Sequence, residues 1–328
     1  MINLGIIGTN WITDQFVQAA HETGKYRLAA VYSRRLDTAQ KFGEKYGDVE
    51  YATDLDTFFG LEHVNTVYIA SPNSLHFEQA KQGILAGKNV IVEKPAFSTP
   101  TEMDEIIELA NQKRVFFFEA ARNIHEKSFK TIADFLPSKD QIIGADFSFI
   151  KYSSRYDQVL DGGEPNIFSP HFSGGALVDL GVYPIYAALA WFGMPKESVY
   201  FGQKIATGVD GFGVGVLRYD NFDVTIRTGF QQSEIYLVNG TLVMDAVNSI
   251  SEAIFHDRNH QCREKLAVHQ LENPMVEEAD EFARVILNPT DRKLGTDYEE
   301  WVELSRNVNQ VMYDMRKSAG IIFDADEK

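Results

Sequence analysis

Ser33-Arg34-Arg35 sets a hydroxyl and two guanidinium groups in consecutive positions. Arginine offers a planar fork of donors to phosphate oxygens, so this trio suits a ribose 2′-phosphate. The alternative reading is a solvated loop that holds two arginines. The trio stands about 25 residues after Gly8, where a dinucleotide-binding fold places the group that meets the adenosine ribose. An acid there would hydrogen-bond the ribose of NAD; none occurs before Asp37, so the expected cofactor is NADP, with NAD as the alternative. Upstream, Gly8-Thr9-Asn10-Trp11-Ile12-Thr13 follows a short apolar run and leads into an amphipathic stretch. A strand that turns tightly into a helix there aims backbone amides at a pyrophosphate. Gly8 fills the first glycine position of that turn, whereas Asn10 and Thr13 replace the second and third. Asparagine tolerates a left-handed backbone and can also cap a helix. Thr9, Trp11 and Ile12 are further candidate cofactor contacts. Far downstream, Asp179 and Tyr183 are four residues apart, which on a regular helix puts a carboxylate and a phenol on one face. Pro184 disturbs that regularity, because it removes the hydrogen bond to Leu180.

The elements that must position these groups alternate in the first third of the chain. Apolar runs at Asn3 to Ile7, Leu28 to Tyr32, Thr66 to Ile69, Asn89 to Val92 and Val115 to Phe118 alternate with amphipathic stretches, which predicts parallel strands joined by crossover helices. Ser74 is expected to cap a helix whose core face includes Phe77, Ala80, Ile84 and Leu85 and which Gly87 ends. Thr99 caps the next helix, with Pro100 at its first position. Ser71, Pro72, Asn73 and His76 follow the third of the strongly apolar runs, and Glu93 and Lys94 close the fourth, so both segments border a ligand crevice at the carboxyl ends of parallel strands. Beyond Glu119 the runs at Ile142 to Ile150, Val199 to Ile205, Phe212 to Tyr219, Phe222 to Phe230 and Glu234 to Val238 leave little room for crossovers, which predicts a mainly antiparallel sheet. Asn239-Gly240 marks a hairpin. Helical spacing returns at Met275 to Leu287 and Asp297 to Lys317. The expected class is α/β: a Rossmann-type parallel-sheet domain over 1–119, then an α+β domain with a mainly antiparallel open sheet over 120–328, which binds substrate and carries oligomerisation.

Composition narrows the partners. Of 328 residues, 31 are Lys or Arg and 47 Asp or Glu, a net charge of −16 that disfavours nucleic acid and anionic membrane as partners. Any anionic ligand needs locally placed cations. The one cysteine, Cys262, cannot form an intramolecular disulfide, which predicts a reducing, cytoplasmic setting. The stretch from Ala176 to Met194 is apolar but broken by Asp179, Gly181 and Pro184, too interrupted for a membrane span. The histidines show no metal-ligand spacing, and no metal is expected.

The Gly8 turn, Ser71-Pro72-Asn73 with His76, Glu93-Lys94-Pro95, and Gly174-Gly175-Ala176-Leu177-Val178-Asp179-Leu180-Gly181-Val182-Tyr183 together resemble the Gfo/Idh/MocA oxidoreductase family along essentially the whole chain. Glu-Lys-Pro alone is common by chance; its succession by the Gly-Gly, Asp and Gly pattern about 80 residues later is specific. The resemblance implies hydride transfer between a nicotinamide and a hydroxyl or carbonyl carbon of a small sugar, polyol or diol. It matches Lys94 to a lysine near both nicotinamide and substrate, and Asp179 to a substrate-binding acid. Many members carry histidine as general acid/base where this chain has Tyr183; the diol-dehydrogenase and glucose–fructose branches have tyrosine, as here, which argues against an inositol-dehydrogenase-like proton relay and for a tyrosine–lysine pair. A free phenol, with a pKa near 10, is a poor base at neutral pH, and a nearby ammonium stabilises its anion. In the reducing direction the tyrosine donates its proton while Lys94 holds charge on the developing alkoxide. Each residue also has a purely structural reading: Lys94 as a solvated loop lysine, Tyr183 as a buried aromatic, Asp179 as a helix cap. His171 and His76 either contact substrate or cofactor or satisfy local backbone groups, and Arg122 and His125 are further lining candidates. The family resemblance also implies subunit pairing through the second sheet, as a homodimer or homotetramer. Phe222, Val224, Ile226 and Thr228 are the expected apolar face. Two other functions stay open: a nucleotide-dependent sensor without turnover, and a redox-assisted glycosidase.

Overall fold

Pairing in both halves follows from how much of each strand is apolar. The computed structural model describes residues 1–149, 153, 155–227, 233–258 and 263–327. The chain divides into two units, Met1–Ala120 with Asn273–Arg306, and Ala121–Glu272 with Asn307–Lys328.

In the first unit, β1 (Ile2–Ile7), β2 (Tyr26–Tyr32), β3 (Glu50–Ala52), β4 (Thr66–Ile69), β5 (Asn89–Glu93) and β6 (Phe117–Ala120) form a wholly parallel sheet in the order β3-β2-β1-β4-β5-β6. Apart from the short edge strand β3, its strands are largely buried on both faces, as parallel strands between two helix layers must be. Leu4 and Ile6 point into a cluster with Phe16, Val17 and Tyr68, while Ile7, Val67 and Ile69 point into another with Phe58, Ala80 and Ile84. The strand order reverses between β1 and β4, and ligands bind beyond the carboxyl ends of strands at such a switch point. The crossovers are α1 (Trp11–Glu22), α2 (Leu36–Gly43), α3 (Leu55–Phe59), α4 (His76–Leu85) and α5 (Pro100–Lys113).

Several expectations shift here. Thr99 caps α5 through the Glu102 amide with Pro100 in the first turn, as its sequence predicts. Ser74 caps nothing: a 3₁₀ turn over Asn73–Leu75 precedes α4, whose first residue is His76, and Leu85 is exposed. The last strand is Phe117–Ala120, two residues later than its apolar run begins, because Arg114 ends α5 in a left-handed conformation and Val115 still bonds back to Ala110. Residues 273–306, within the stretch the linear reading gives to the second domain, group with the first unit. There α9 (Val276–Leu287) stacks Phe282 on Phe118, with ring centroids 4.6 Å apart, and Tyr298 of α10 (Arg292–Ser318) meets Phe116 and Phe118 edge-on.

In the second unit, α6 (Lys127–Phe135), α7 (Tyr156–Leu160) and α8 (Val182–Phe192) accompany β7 (Ile142–Ser148), β8 (Glu197–Lys204), β9 (Asp210–Arg218), β10 (Asp223–Arg227), β11 (Ser233–Leu237), β12 (Gly240–Met244), β13 (Ala253–Asp257) and β14 (Arg263–Lys265). Among the described residues the sheet runs β14-β13-β12-β11-β7-β10-β9-β8 and is antiparallel except where β7 meets β10. The apolar stretch ending in α8 is mostly buried and lines one face of this sheet. Phe192 meets Phe222 edge-on at 5.4 Å, and Val224 and Ile226 are fully buried. The residues expected to form an uncovered apolar face are therefore covered within the chain. The opposite face carries Val199 across from Val216 and Phe201 across from Val214, and there Phe201 is 65% exposed. Thr228, Cys262 and the expected strand ends Ile150 and Phe230 lie outside the described residues.

The carboxyl end of the second unit is fastened by a buried ion pair. Arg316 bonds both oxygens of Asp326 at 2.6 and 2.7 Å and lies over the Phe323 ring at 3.9 Å. Removing Asp326 strands a guanidinium that is only 2% exposed. Asp326→Ala should lower the unfolding free energy by about 3–5 kcal/mol in urea titrations, and a loss under about 1 kcal/mol would contradict the pair's structural importance.

Candidate active site

The first unit gathers its candidate residues on the loops beyond β1, β2, β4 and β5. Gly8 turns at φ +106°, and a Cβ there would lie 2.6 Å from the carbonyl oxygen of Ala70 at the end of β4. No side chain fits between these strand ends. Asn10 keeps an extended backbone, φ −88°, so the left-handed option is not taken; capping is. Its Oδ1 accepts the Ile12 and Thr13 amides at 3.0 and 3.1 Å, and its Nδ2 donates to Ala70 at 3.2 Å. The asparagine thus ties the α1 terminus to the end of β4. Thr13 is fully buried under this turn, whereas Trp11 is exposed. A bare glycine turn against a helix terminus at the switch point fits a pyrophosphate.

Ser33, Arg34 and Arg35 follow β2 directly. Arg35 lays its fork on Asp37, Nε to Oδ1 at 3.0 Å, with a second contact through Nη2. That hydrogen-bonded pairing raises the arginine pKa and lowers the carboxyl pKa below the usual carboxylate range. Both side chains are exposed, so the pair orders the guanidinium in water rather than burying it. A hydroxyl and two guanidiniums at this position form the donor set a 2′-phosphate requires.

Around β4 and β5, the two loops are tied by His76. It is fully buried, its Nε2 faces the Ser71 carbonyl at 2.9 Å, and its Nδ1 faces the Pro95 and Ala96 carbonyls, each at 3.2 Å. Desolvation lowers its pKa. The ring therefore links the Ser71-Pro72-Asn73 loop to the loop holding Lys94. Ser71 donates to Gln79 at 2.7 Å, and Glu93, at the end of β5, is buried and receives the Tyr68 hydroxyl. Glu119 accepts the Ala96 amide at 2.9 Å and steadies the residues just after Lys94.

The second unit holds the acid and the phenol. Leu177–Gly181 forms a π-helical turn that runs into α8 at Val182. Pro184 falls in the first turn of α8, just past the π turn, where the helical register changes. Asp179 lies on the π turn and Tyr183 on the α turn, so their spacing is not that of one regular helix; wide turns of this kind often mark functional sites. Asp179 is half-buried; Tyr183 is 9% exposed, with Phe149 edge-on at 5.5 Å and the Arg122 guanidinium 5.8 Å from its ring centre. Arg122 is held by Glu126 at 3.1 Å, and Glu126 also takes the Ser249 hydroxyl at 3.0 Å. His171, in the same unit, is exposed and paired with Asp324, whose carboxylate raises the imidazole pKa. The sequence reading missed Glu119, Glu126 and Gln79, because nothing in their spacing distinguishes a buried acid or amide from a solvated one.

Residues 2–121 match the family model described as an oxidoreductase family with an NAD-binding Rossmann fold, and residues 148–242 match the GFO/IDH/MocA C-terminal domain. The chain is 38% identical over 331 residues to the uncharacterized oxidoreductase YgjR of Escherichia coli, covering 99% of each protein. It is 35% identical over 332 residues to scyllo-inositol 2-dehydrogenase (NADP(+)) IolU of Bacillus subtilis, covering 100% of each. In fold it is similar to KijD10, a 3-ketoreductase from Actinomadura kijaniata solved with NADP and TDP-benzene. The TM-score is 0.83 at 22% identity, over 97% of each chain.

The Asn10 cap gives a direct test. Asn10→Ala should cost about 0.5–2 kcal/mol of stability and weaken dinucleotide binding, whereas Asn10→Gly should cost only a few tenths of a kcal/mol. Denaturant titration with and without NADP checks both, and equal stability of the alanine and wild-type proteins would remove the cap from the account.

Proposed function

This chain belongs to the GFO/IDH/MocA oxidoreductase family, and from that membership we propose that it moves a hydride between NADP(H) and a hydroxyl or carbonyl carbon of a small sugar or cyclic polyol. It is an NAD(P)-dependent dehydrogenase or reductase. The observation that carries the reading is the joint presence, in one chain, of the Gly8 turn, the Ser33-Arg34-Arg35 donor set, and the helical turns bearing Asp179 and Tyr183. The 35% identity to an inositol dehydrogenase over the full length supports the polyol class.

The nicotinamide, when bound, gives or takes the hydride. The chain's own side chains do the rest. The Gly8–Asn10 turn and the α1 terminus hold the pyrophosphate, while Ser33, Arg34 and Arg35 hold the 2′-phosphate. Tyr183 takes the hydroxyl proton at its Oη in oxidation and returns it to the alkoxide in reduction, and the Lys94 ammonium stabilises the negative charge on oxygen in either direction. Asp179 accepts hydrogen bonds from neighbouring substrate hydroxyls and sets which carbon is presented. Glu126 fixes Arg122 beside the tyrosine ring, so the phenol has a cation in its own unit as well. His76 keeps the Lys94 loop in place and makes no substrate contact in this reading.

A screen of inositols, sugars, diols and dicarbonyl compounds against both cofactors, followed by absorbance of the reduced nicotinamide, tests the assignment. Cofactor binding with no turnover on any of them would favour a sensor; release of free sugar without net NADP turnover would favour a redox-assisted glycosidase. NADP(H) should bind more tightly than NAD(H), and replacing Arg34 and Arg35 by alanine should erase roughly tenfold or more of that preference per guanidinium lost. Equal dissociation constants in the unaltered protein would sink the 2′-phosphate reading.

Tyr183→Phe should leave NADPH binding nearly intact while slowing hydride transfer roughly 100- to 10,000-fold, and Lys94→Met should be at least as damaging, with the pair less than additive. Near-normal single-turnover transfer in Tyr183→Phe would remove the phenol from the mechanism. We also propose a dimer or tetramer formed through the open face of the second sheet, the face of Val199, Phe201, Val214 and Val216. A monomer by light scattering at micromolar concentration would overturn this.

A further inference from the structure

The turn that presents Asp179 and Tyr183 is held from below by a carboxylate that neither the cofactor site nor the proton transfer uses. Asp210 opens β9, is 2% exposed, and accepts the Leu177 amide at 2.8 Å and the Tyr200 hydroxyl at 2.7 Å on Oδ2. This is an amide at the opening of the π turn, so the carboxylate does for this turn what an N-cap side chain does for a helix, from a strand 33 residues away. One peptide earlier, Gly175 sits at φ +130°, and a Cβ there would be 2.3 Å from Asp210 Oδ1. Its carbonyl in turn accepts the Asp179 amide at 3.1 Å. Gly174 is equally constrained, since its Cβ would fall 2.5 Å from the Ile167 carbonyl oxygen.

The partner of that carboxylate is positioned with the same economy of space. Tyr200, in β8, lies flat against β9, where a Cβ on Gly213 would be 2.2 Å from its Cζ and Oη. The glycines alternating along β9 at 211, 213 and 215 weaken a strand in exchange for room, and Gly213 gives that room to the tyrosine ring. A line of dependence thus runs from Gly213 to Tyr200, to Asp210, to the amide of Leu177, and so to Asp179 and Tyr183.

We propose that Asp210, oriented by Tyr200, is the positioning residue of this site, fixing the π turn so that Asp179 and Tyr183 are presented in one arrangement. The inference rests on the reading that those two side chains meet the substrate. It assigns Asp210 no contact with substrate or cofactor, and it gives Gly175 a role in admitting the carboxylate.

The test uses Asp210→Asn, Asp210→Ala and Tyr200→Phe in the full chain. Two quantities are read: amide hydrogen exchange of the peptides spanning 176–183, which needs no substrate, and kcat against KM on a polyol that turns over, normalised to NADPH-binding sites. Exchange in that segment should rise about tenfold or more and kcat per site should fall about ten- to a hundredfold, with the KM for NADP within about twofold of wild type. The order of severity should be Asp210→Ala, then Asp210→Asn, then Tyr200→Phe. Unchanged exchange and unchanged kcat in both Asp210→Asn and Tyr200→Phe would overturn the proposal. A lower melting temperature with kcat per site intact would do the same, because it would reduce Asp210 to a stabilising contact. If the Asp210 variants do not fold, Tyr200→Phe, which keeps the carboxylate and removes one donor, decides alone. Should the wild-type chain turn over no polyol, the functional reading fails by itself, and the exchange result still judges the anchor.

Discussion

The approach of Gly8 to the carbonyl of Ala70 is the constraint on which the first unit's chemistry depends. Two parallel strands that end side by side at the switch point leave no room for a side chain there, and the turn that results starts α1 at the sheet's carboxyl edge, from which it packs back over β1. Asn10 then completes what the missing second glycine leaves open, because its amide satisfies two helix-terminal donors and reaches back to the same carbonyl. The His76 bridge extends the arrangement one strand further and connects the β4 loop to the β5 loop. Geometry at each candidate ligand contact is thereby inherited from backbone packing in the sheet, and the side chains add donors to a frame already set.

A net charge of −16 and a proposed polyanionic cofactor are compatible because the anion sites are local. Backbone amides at a helix terminus carry no formal charge, and two guanidiniums after β2 supply the rest. Asp37 adds a second effect. By holding Arg35 in a bidentate pair it limits the rotamers the guanidinium must give up on meeting a phosphate, at the expense of competing for the same donors.

What could be read from the sequence was what local periodicity encodes. β1 and β4 are short apolar runs bounded by turns, and the Thr99-Pro100 start is written in adjacent residues. β3, β13 and β14 were not legible, since three to five residues of mixed polarity become strands only through the neighbour they pair with. The site shows the same divide. The family motif pointed to Asp179 and Tyr183, but the π turn that carries Asp179 makes a long-range bond from its Leu177 amide to Asp210, which no window of sequence contains. Alternation marked Phe222, Val224 and Ile226 as one face and could not say which; α8 decides it. His76 was visible as a residue type near a strand end, and only its burial among three carbonyls shows that it braces the loops.

The return of Asn273–Arg306 to the first unit bears on how the protein is made. A ribosome delivers the whole parallel sheet within the first 120 residues, yet Phe116 and Phe118 meet Phe282 and Tyr298 only after the intervening unit has been synthesised. During that interval the nascent chain presents an aromatic stripe beside an open edge strand, the kind of surface that recruits chaperones or neighbouring chains. Vectorial synthesis therefore favours a second unit that folds promptly, since its completion is what releases the helices that seal the first.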